Sequence, residues 1–222
     1  MKRMSRVRKG EPWGRPAAGP ADTEVKGSDA ELAACAAAQP GVRVAFRPAP
    51  GSDLARAIGL HDAGSAVLEV PIDGLRLDQQ PEIAVNAVVV GTPPDRMRWC
   101  NRSPRVEVTV DGRRRFEGRA VAVVVASGQY LRGLDLVPRG HPGDGRAEVQ
   151  IYELARAERA AARRRLPQGT HVPHPCIHEL SGRRVEVRIP GRPAPLEADG
   201  KPWGQVRGLS VEVLPEILWI VL

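Results

Sequence analysis

Cysteine, aromatic residues and long apolar runs are scarce in this chain of 222 residues. Its three cysteines, Cys35, Cys100 and Cys176, lie far apart, which fits neither a disulfide framework nor a paired-cysteine zinc site. No apolar run reaches the roughly 18 residues that a membrane-spanning helix needs, and the basic N-terminus lacks the apolar stretch of a signal peptide. We therefore expect a soluble, cytoplasmic protein without a thiolate-bound metal.

Acidic residues are rare at the N-terminus, where the excess positive charge is concentrated. Residues 1–20 carry +5 of the net charge of +7, so the rest of the chain is nearly balanced. Only four of the 33 basic residues are lysine, and the chain is rich in glycine and proline, which is typical of a GC-rich coding sequence. Because net charge bears on partners rather than on fold, we do not take the arginine count as a sign of nucleic-acid binding.

The chain divides into three parts by composition and pattern. Residues 1–25 have no apolar periodicity, and we expect a basic, disordered extension there. Residues 26–63 follow a helix, strand and helix pattern (28–38, 42–46 and 52–58), which is typical of one piece of an α/β layer. Residues 64–222 alternate short apolar segments with Gly, Pro and Asp turns, and contain one predicted helix at 154–165. The predicted strands are 66–71, 83–90, 105–110, 116–126, 146–152, 183–189, 195–198, 209–214 and 218–222, with a hairpin turn at Asp111-Gly112.

This organisation predicts an α+β fold with a C-terminal antiparallel β-sandwich domain and a truncated N-terminal α/β layer. No motif taken alone identifies an enzyme, because the sequence has no P-loop, nucleophile elbow or zinc-protease motif. His171, His174 and His178 are close together, but the two prolines between them favour a turn or surface loop over a metal site.

The tryptophans and the arginine cluster of the hairpin have ordinary explanations. We expect Trp99, Trp203 and Trp219 to pack in the core or at sheet edges rather than to form ligand platforms. The three arginines at 113–115 are expected to be a solvated hairpin end rather than a site for anionic lipid headgroups.

Four groups of segments in the C-terminal part follow one another in a specific order. They are residues 123–130, then 136–138 with 142–145, then 166–171 with His174-Pro175, and last the run EADGK at 197–201. In order and spacing they resemble the C-terminal domain of the bacterial diacylglycerol kinase family of lipid kinases, and with the N-terminal part the resemblance covers residues 26–222. It implies an NAD-kinase-like fold and ATP-dependent transfer of phosphate to a lipid hydroxyl.

Two N-terminal loops resemble the family's nucleotide loops, with losses. The run GSDAEL at 27–32 stands where the family has G-G-D-G-T-L, and APGSDLAR at 49–56 stands where it has G-T-x-N-D-x-A-R. Pro50 has no N–H for a phosphate, and Glu31 places an anion where the family has a hydroxyl. The resemblance implies ATP and magnesium as cofactors, with nucleotide contacts from Gly27, Asp29, Gly51, Ser52, Asp53 and Arg56.

Two further positions carry the catalytic and metal roles that the resemblance implies. The acidic residue that closes the family's D-G-E motif is the general base, but this chain has Lys201 there, and a protonated lysine cannot take up a proton. Asp199 is then the candidate catalytic base. Asp144 is the candidate magnesium ligand, with a plain hairpin turn at Asp144-Gly145 as the alternative.

Two functions follow from the resemblance. The first is an active lipid kinase of phospholipid metabolism, a transferase that works on a lipid substrate at the inner membrane surface. The second is a catalytically dead pseudokinase that binds a lipid, a nucleotide or a protein. The chain has little sequence before Gly27 to form the family's first nucleotide-binding strands. The partners considered are a homo-oligomer or a separate protein, and the sequence leaves open whether another chain supplies that half.

Overall fold

The computed structural model describes residues 13–60 and 68–222. They form three α-helices, α1 (Asp29–Ala38), α2 (Asp53–Ala57) and α3 (Arg159–Arg165), and two short 3-10 turns, at Pro94–Arg96 and Leu166–Gln168. The strands are β1 (Arg15–Pro16), β2 (Thr23–Gly27), β3 (Val42–Pro48), β4 (Leu68–Leu77), β5 (Ile83–Ala84), β6 (Ala87–Gly91), β7 (Arg105–Val110), β8 (Arg113–Arg119), β9 (Ala122–Ala126), β10 (Tyr130–Leu131), β11 (Leu134–Asp135), β12 (Ala147–Tyr152), β13 (Ile177–Gly182), β14 (Arg184–Arg188), β15 (Ala194–Ala198), β16 (Lys201–Val206) and β17 (Gly208–Val221).

Two large sheets form the sandwich, which confirms the predicted α+β fold class. A six-stranded antiparallel sheet has the order β13-β12-β9-β6-β15-β16. A nine-stranded sheet follows the order β1-β4-β17-β14-β7-β8, with β3 beside β17, β2 beside β3 and β5 beside β4. The strands β10 and β11 form a separate small hairpin.

The central strand β9 explains why residues 122–126 are a continuous apolar run. Val123 and Val125 belong to the core between the two sheets. The alternate residues, including Val124, face a second core under α3 and the β10–β11 hairpin. Since side chains alternate across a strand, a strand covered on both faces needs apolar residues at every position.

The helices of the N-terminal layer pack against one part of the nine-stranded sheet, which consists of β3, β4 and β17. Helix α1 begins after the N-cap Ser28, whose backbone N–H donates to the Glu31 carboxylate at 2.8 Å, as in a capping box. Leu32 of α1 and Leu54 of α2 are fully buried in a third core, against β3, β4 and β17. The only parallel pairings in the described residues are β2 with β3 and β3 with β17.

The strand β17 belongs to both parts of the molecule. Its first half pairs with β14 in the sandwich, and its second half pairs with β3 in the N-terminal layer. The sequence predicts two strands here, 209–214 and 218–222, but the structure has one strand whose register against β4 shifts between Leu214 and Leu218. The irregularity includes Glu216, which has a positive φ of 55°.

The structure corrects the predicted disordered extension over the part of it that the structure describes. Residues 1–12 lie outside the described residues, but from Trp13 onward the chain is ordered and contains β1 and β2. Arg15 forms an ion pair with the buried Glu69 and lies 3.9 Å from the ring centroid of Trp219. Backbone pairing, the arginines Arg15 and Arg43, and the isolated apolar residues Trp13 and Val25 hold this segment, so the apolar periodicity on which the prediction relied carries no signal here.

Other element predictions differ in detail. The predicted strand 116–126 is two strands, β8 and β9, and the predicted helix 154–165 begins only at Arg159. The polar edge strands β13 and β16 were not predicted. The hairpin at Asp111-Gly112 is confirmed, with positive φ at both residues. The predicted boundary between residues 63 and 64 lies outside the described residues.

Within residues 13–60 and 68–222, no helix combines the length and the apolar character needed to cross a membrane.

Candidate functional site

Asp29 joins the two loops that resemble nucleotide loops. Its buried carboxylate accepts the backbone N–H groups of Asp53 and Leu54 at 3.1 Å, and also the hydroxyl of Ser52. Burial raises the pKa of Asp29, against the effect of these donors. The structure therefore brings three of the predicted site residues together, with Asp29 holding the start of α2.

Asp53 connects two segments in the same way, through a carboxylate that accepts backbone N–H groups. Its buried carboxylate accepts the backbone N–H of Arg132 at 2.5 Å and that of Gly133 at 2.6 Å. Arg132 has a positive φ of 51°, in the tight turn between β10 and β11. Asp53 thereby fastens α2 to the hairpin that covers the sandwich.

Asp199, the predicted catalytic base, is the third carboxylate that accepts backbone N–H groups of another segment. Its carboxylate accepts three backbone N–H groups, from Val85 at 2.9 Å and from Asn86 and Ala87 at 3.0 Å. Burial raises the pKa of Asp199 to about 7, and the nearby Asp29 carboxylate adds to this rise. Asp29, Asp53 and Asp199 are hereafter called the acid junction, because each one bonds a different pair of segments together.

Lys201 and Glu31, the two charged replacements in the family motifs, form an ion pair with each other. The Lys201 Nζ lies 2.7 Å from a Glu31 carboxylate oxygen, although the residues are far apart in sequence. The hydrogen bond from Lys201 and those from Ser28 lower the pKa of Glu31 to about 2. The lysine at the expected general-base position and the glutamate at the altered loop position thus neutralise each other's charge.

Two cavities with different lining residues border the acid junction. Asp53, Ser52, Gly51 and Arg56 line a cleft of about 530 Å³ beside Gly133. Asp199 instead lines a cavity of about 270 Å³, bounded by alanines of α1 and by Trp203. The described lining residues of the two cavities do not overlap.

The remaining predicted nucleotide contacts lie at the edge of the cleft. Arg56 is exposed, and its guanidinium lies 4.6 Å from the ring centroid of Tyr130. Gly51 has a φ of 87° and Gly27 a φ of 146°, so both need the conformational freedom of glycine. Only the contacts of these residues are established, and their nucleotide-binding role stays a prediction.

Sequence reasoning missed the arginine that connects these elements. The guanidinium of Arg132 binds the carboxylates of Asp95 and Glu197, while its backbone N–H binds Asp53. Burial opposes the charged form of Arg132, but the two carboxylates outweigh it and raise its pKa. No motif signals this role, because the three acidic partners lie in three separate segments.

The comparisons with known proteins bear on the sandwich. The family model for the YegS C-terminal NAD kinase beta sandwich-like domain matches residues 98–222, more than half of the chain. The chain belongs to this family. No curated protein matches the sequence of this YegS-family chain.

Solved structures extend the likeness beyond the matched region. A candidate diacylglycerol kinase from Bacillus anthracis str. Sterne is 16% identical, with a TM-score of 0.73 over 90% of this chain and 77% of that chain. A diacylglycerol kinase from the same strain is 15% identical, with a TM-score of 0.65 over 90% and 76%. An NAD kinase from Archaeoglobus fulgidus in complex with ATP is 13% identical, with a TM-score of 0.50 over 90% and 78%. These likenesses confirm a lipid-kinase-like and NAD-kinase-like fold, which by itself does not establish an activity.

The loop before α2 of this YegS-family chain does not fit a phosphate cradle. Such a cradle needs backbone N–H groups that are free to bind the anion. The N–H groups of Asp53 and Leu54 are bound to Asp29, and that of Ala55 is bound to the Ser52 hydroxyl at 3.0 Å. Pro50 has none.

Asp144, the predicted magnesium ligand, lies close to a second acid. One of its carboxylate oxygens accepts the Arg146 N–H at 2.9 Å, and burial raises its pKa. Burial, reinforced by Asp144 and Glu216, raises the pKa of the neighbouring Asp73 to about 6. Oxygen donors suit a hard cation, but no group of three or more His, Cys, Asp or Glu in the described residues is placed to hold a metal. The magnesium role stays a prediction.

Two expectations about aromatic and histidine residues are corrected. His171 lies in a turn, as one of the two predicted alternatives has it, but not at the surface, because it is only 1% exposed and stacks on the buried Tyr152. Trp99 is not packed in a core or at a sheet edge, because it is 70% exposed. Trp203 is also exposed, at 41%.

Proposed function

We propose that this YegS-family chain is a lipid-kinase-like binding protein that associates with lipid and does not transfer phosphate. The observation that carries the proposal is the ion pair between Lys201 and Glu31, at 2.7 Å. It puts a cation where the lipid-kinase motif has its general base, and the cation is already bound by a residue of the first nucleotide loop.

The acid junction supports the same proposal. A catalytic carboxylate must be free to meet the proton that it takes up, but Asp199 already accepts three backbone N–H groups. Asp29 and Asp53 are engaged in the same way. These acids therefore serve as internal connections rather than as reacting groups.

The division between the cavities is a second support. In a phosphoryl transfer the nucleotide, the acceptor hydroxyl and the base must meet in line at one place. Here Asp53 opens to the larger cleft, while Asp199 opens to the smaller cavity beside Trp203.

An active lipid kinase is the second candidate, and one observation favours it. Burial raises the pKa of Asp199 to about 7, which is the value that suits a general base at neutral pH. In this candidate Asp199 would take the proton of the lipid hydroxyl while ATP and magnesium are held at the cleft near Asp53.

A transfer assay distinguishes the two candidates. The full chain is incubated with radiolabelled ATP, magnesium and diacylglycerol in mixed micelles, and we expect no labelled lipid above the background without protein. The double variant Glu31→Thr with Lys201→Glu, which restores the family residues, is the matched control for whether the ion pair alone blocks transfer. Labelled lipid that wild type forms and that Asp199→Asn no longer forms would overturn the proposal.

A binding measurement completes the test. Since the N–H groups of Ser52, Asp53, Leu54 and Ala55 are already bound within the protein, magnesium and ATP should leave the melting temperature of the chain unchanged. A saturable rise in melting temperature with ATP, lost in Asp53→Asn, would mean that the nucleotide site is retained.

A further inference from the structure

The loop after the first 3-10 turn carries an exposed tryptophan in a basic setting. Trp99 is 70% exposed, and the flanking Arg98 and Arg102 are exposed as well. A single exposed apolar side chain is ordinary on a protein surface, so Trp99 indicates a contact site only together with the fixed shape of this loop and the charges around it. We call residues 97–103 the Trp99 loop.

Helix α3 holds the Trp99 loop in a fixed shape. Arg159 is only 2% exposed, and its guanidinium donates to the carbonyls of Arg98 and Asn101 at 3.0 and 2.8 Å and to the Ser103 hydroxyl at 2.7 Å. Arg163 donates to the carbonyl of Met97 at 2.9 Å. Trp99 is therefore exposed on a loop that hydrogen bonds hold in one shape. The backbone of this loop has little conformational entropy left to lose on binding.

The charges around Trp99 are unbalanced. Five exposed arginines of the Trp99 loop, of α3 and of the residues just before α3 form no ion pair with any acidic residue in the described part of the chain. They are Arg98, Arg102, Arg156, Arg164 and Arg165. By contrast, Arg132 and Arg105 are bound to carboxylates. Unpaired arginines beside an exposed apolar ring complement a surface that is both anionic and apolar.

We propose that the Trp99 loop and the adjoining arginines dock this chain on an anionic phospholipid membrane. Tryptophan is favoured at the membrane interface, where its ring lies at the level of the headgroups, and each arginine near an anionic leaflet adds to the attraction. A nucleic-acid strand fits less well, because it needs several aromatic side chains on which successive bases stack, and Trp99 is the one aromatic residue of this loop.

Hydrogen bonds connect the acid junction to the 3-10 turn that leads into the Trp99 loop. Asp95, in the 3-10 turn just before the loop, is bound by Arg132, whose backbone N–H binds Asp53. The inference therefore rests on the proposed lipid binding and assigns the surface that performs it.

Vesicle flotation with the full chain tests the assignment. The probes are vesicles of phosphatidylcholine alone and of phosphatidylcholine mixed with phosphatidylglycerol, at low and high salt. We expect binding only to the anionic vesicles, weakened by salt. Trp99→Ala should weaken it about tenfold, and Arg98→Glu with Arg102→Glu at least about tenfold.

Matched controls isolate the loop from general charge and hydrophobicity. Leu68→Ala removes another exposed large apolar side chain, and Arg113→Glu with Arg115→Glu makes the same charge change on the β7–β8 hairpin. All variants keep the basic N-terminus, and near-UV circular dichroism checks that each one is folded. We expect both controls to bind like wild type.

Several results would overturn the assignment. One is the absence of binding to anionic vesicles, and another is an equal loss in the loop variants and their controls. Binding of single-stranded RNA that competes with vesicles and needs Trp99 would assign the loop to nucleic acid, and dimerisation that Trp99→Ala abolishes would assign it to a second copy. Absence of binding to all vesicles would also contradict the proposed lipid association, whereas vesicle binding that the loop variants leave unchanged would contradict only the docking assignment, so the two failures can be told apart.

Discussion

The sandwich core and the acid junction hold the molecule together by different means. Between the sheets, residues such as Val125, Val149 and Ile151 are fully buried and purely apolar. At the junction, Asp29, Asp53 and Asp199 bond backbone N–H groups of other segments. The first region depends on packing and the second on buried charge, so the two should respond differently to substitution and to pH.

The largest expected effect is on the acid junction. Asp199→Ala leaves three buried N–H groups without an acceptor, and we expect the free energy of unfolding to fall by about 3 to 5 kcal/mol in urea titrations. Asp111→Ala is the matched control, because Asp111 also has a positive φ and accepts two backbone N–H groups, but is exposed. It should lose only about 1 kcal/mol. Equal falls in the free energy of unfolding would show that burial makes no difference between the Asp199 and Asp111 carboxylates.

The second prediction concerns pH. Burial raises the folded-state pKa of Asp199 to about 7 and that of Asp73 to about 6, from an ordinary value of 3.8. Between about pH 4 and 7 these two carboxyl groups therefore bind more protons in the folded chain than in the unfolded chain, so their contribution to stability falls as pH rises through this window. We expect a fall on the order of 1 kcal/mol per pH unit for each group while it titrates.

The control for this prediction is a variant that cannot titrate. Asp199→Asn should remove its share of the slope over about pH 4 to 7, which includes the part above pH 6, while Asp73→Asn should remove only its share below about pH 6. A slope that neither substitution changes would contradict the prediction and would mean that the N–H donors offset burial at both acids.

The sandwich core should show a smaller effect that does not depend on pH. Ile151 is fully buried between the sheets, and Ile151→Val removes one methylene group, at a cost of about 1 kcal/mol. The same difference should be measured in urea at pH 5 and pH 8. A cost that changes with pH would mean that the sandwich and the junction do not respond separately.

The smallest effect is expected for the ion pair. Lys201 and Glu31 are both about half exposed, so water and salt screen their attraction. Lys201→Ala should change the free energy of unfolding by less than about 1 kcal/mol. A larger loss, recovered in the charge-reversed double variant Glu31→Lys with Lys201→Glu, would give the pair a structural role.

Local patterns predicted much of the fold. The strand at 105–110, the helix that begins after Ser28 and the turn at Asp111-Gly112 all depend on near neighbours in the sequence, and the structure has them there. The strand β2 and the ordered Arg15 were missed because they are held by contacts with distant residues. The edge strand β16 was missed because most of its residues are exposed, so it lacks an apolar pattern.

The candidate site shows the same limit. The motif resemblance identified Asp29, Ser52 and Asp53, and the structure brings them together. It could not reveal that Glu31 bonds Lys201, nor that Arg132 joins Asp53 to two other acids. Such pairs depend on how distant segments come together in space, which one sequence does not specify.

The shared strand β17 has a consequence for the order of synthesis. The strand β3 is translated early, but its neighbour β17 follows only after the whole sandwich sequence has been made. At about 5 to 20 residues per second, the exposed edge of β3 waits roughly 10 to 40 seconds for its neighbour. During that interval the apolar residues Val42, Val44 and Phe46 of β3 lack their final neighbour, so we expect β3 to be a segment of the nascent chain that chaperones bind.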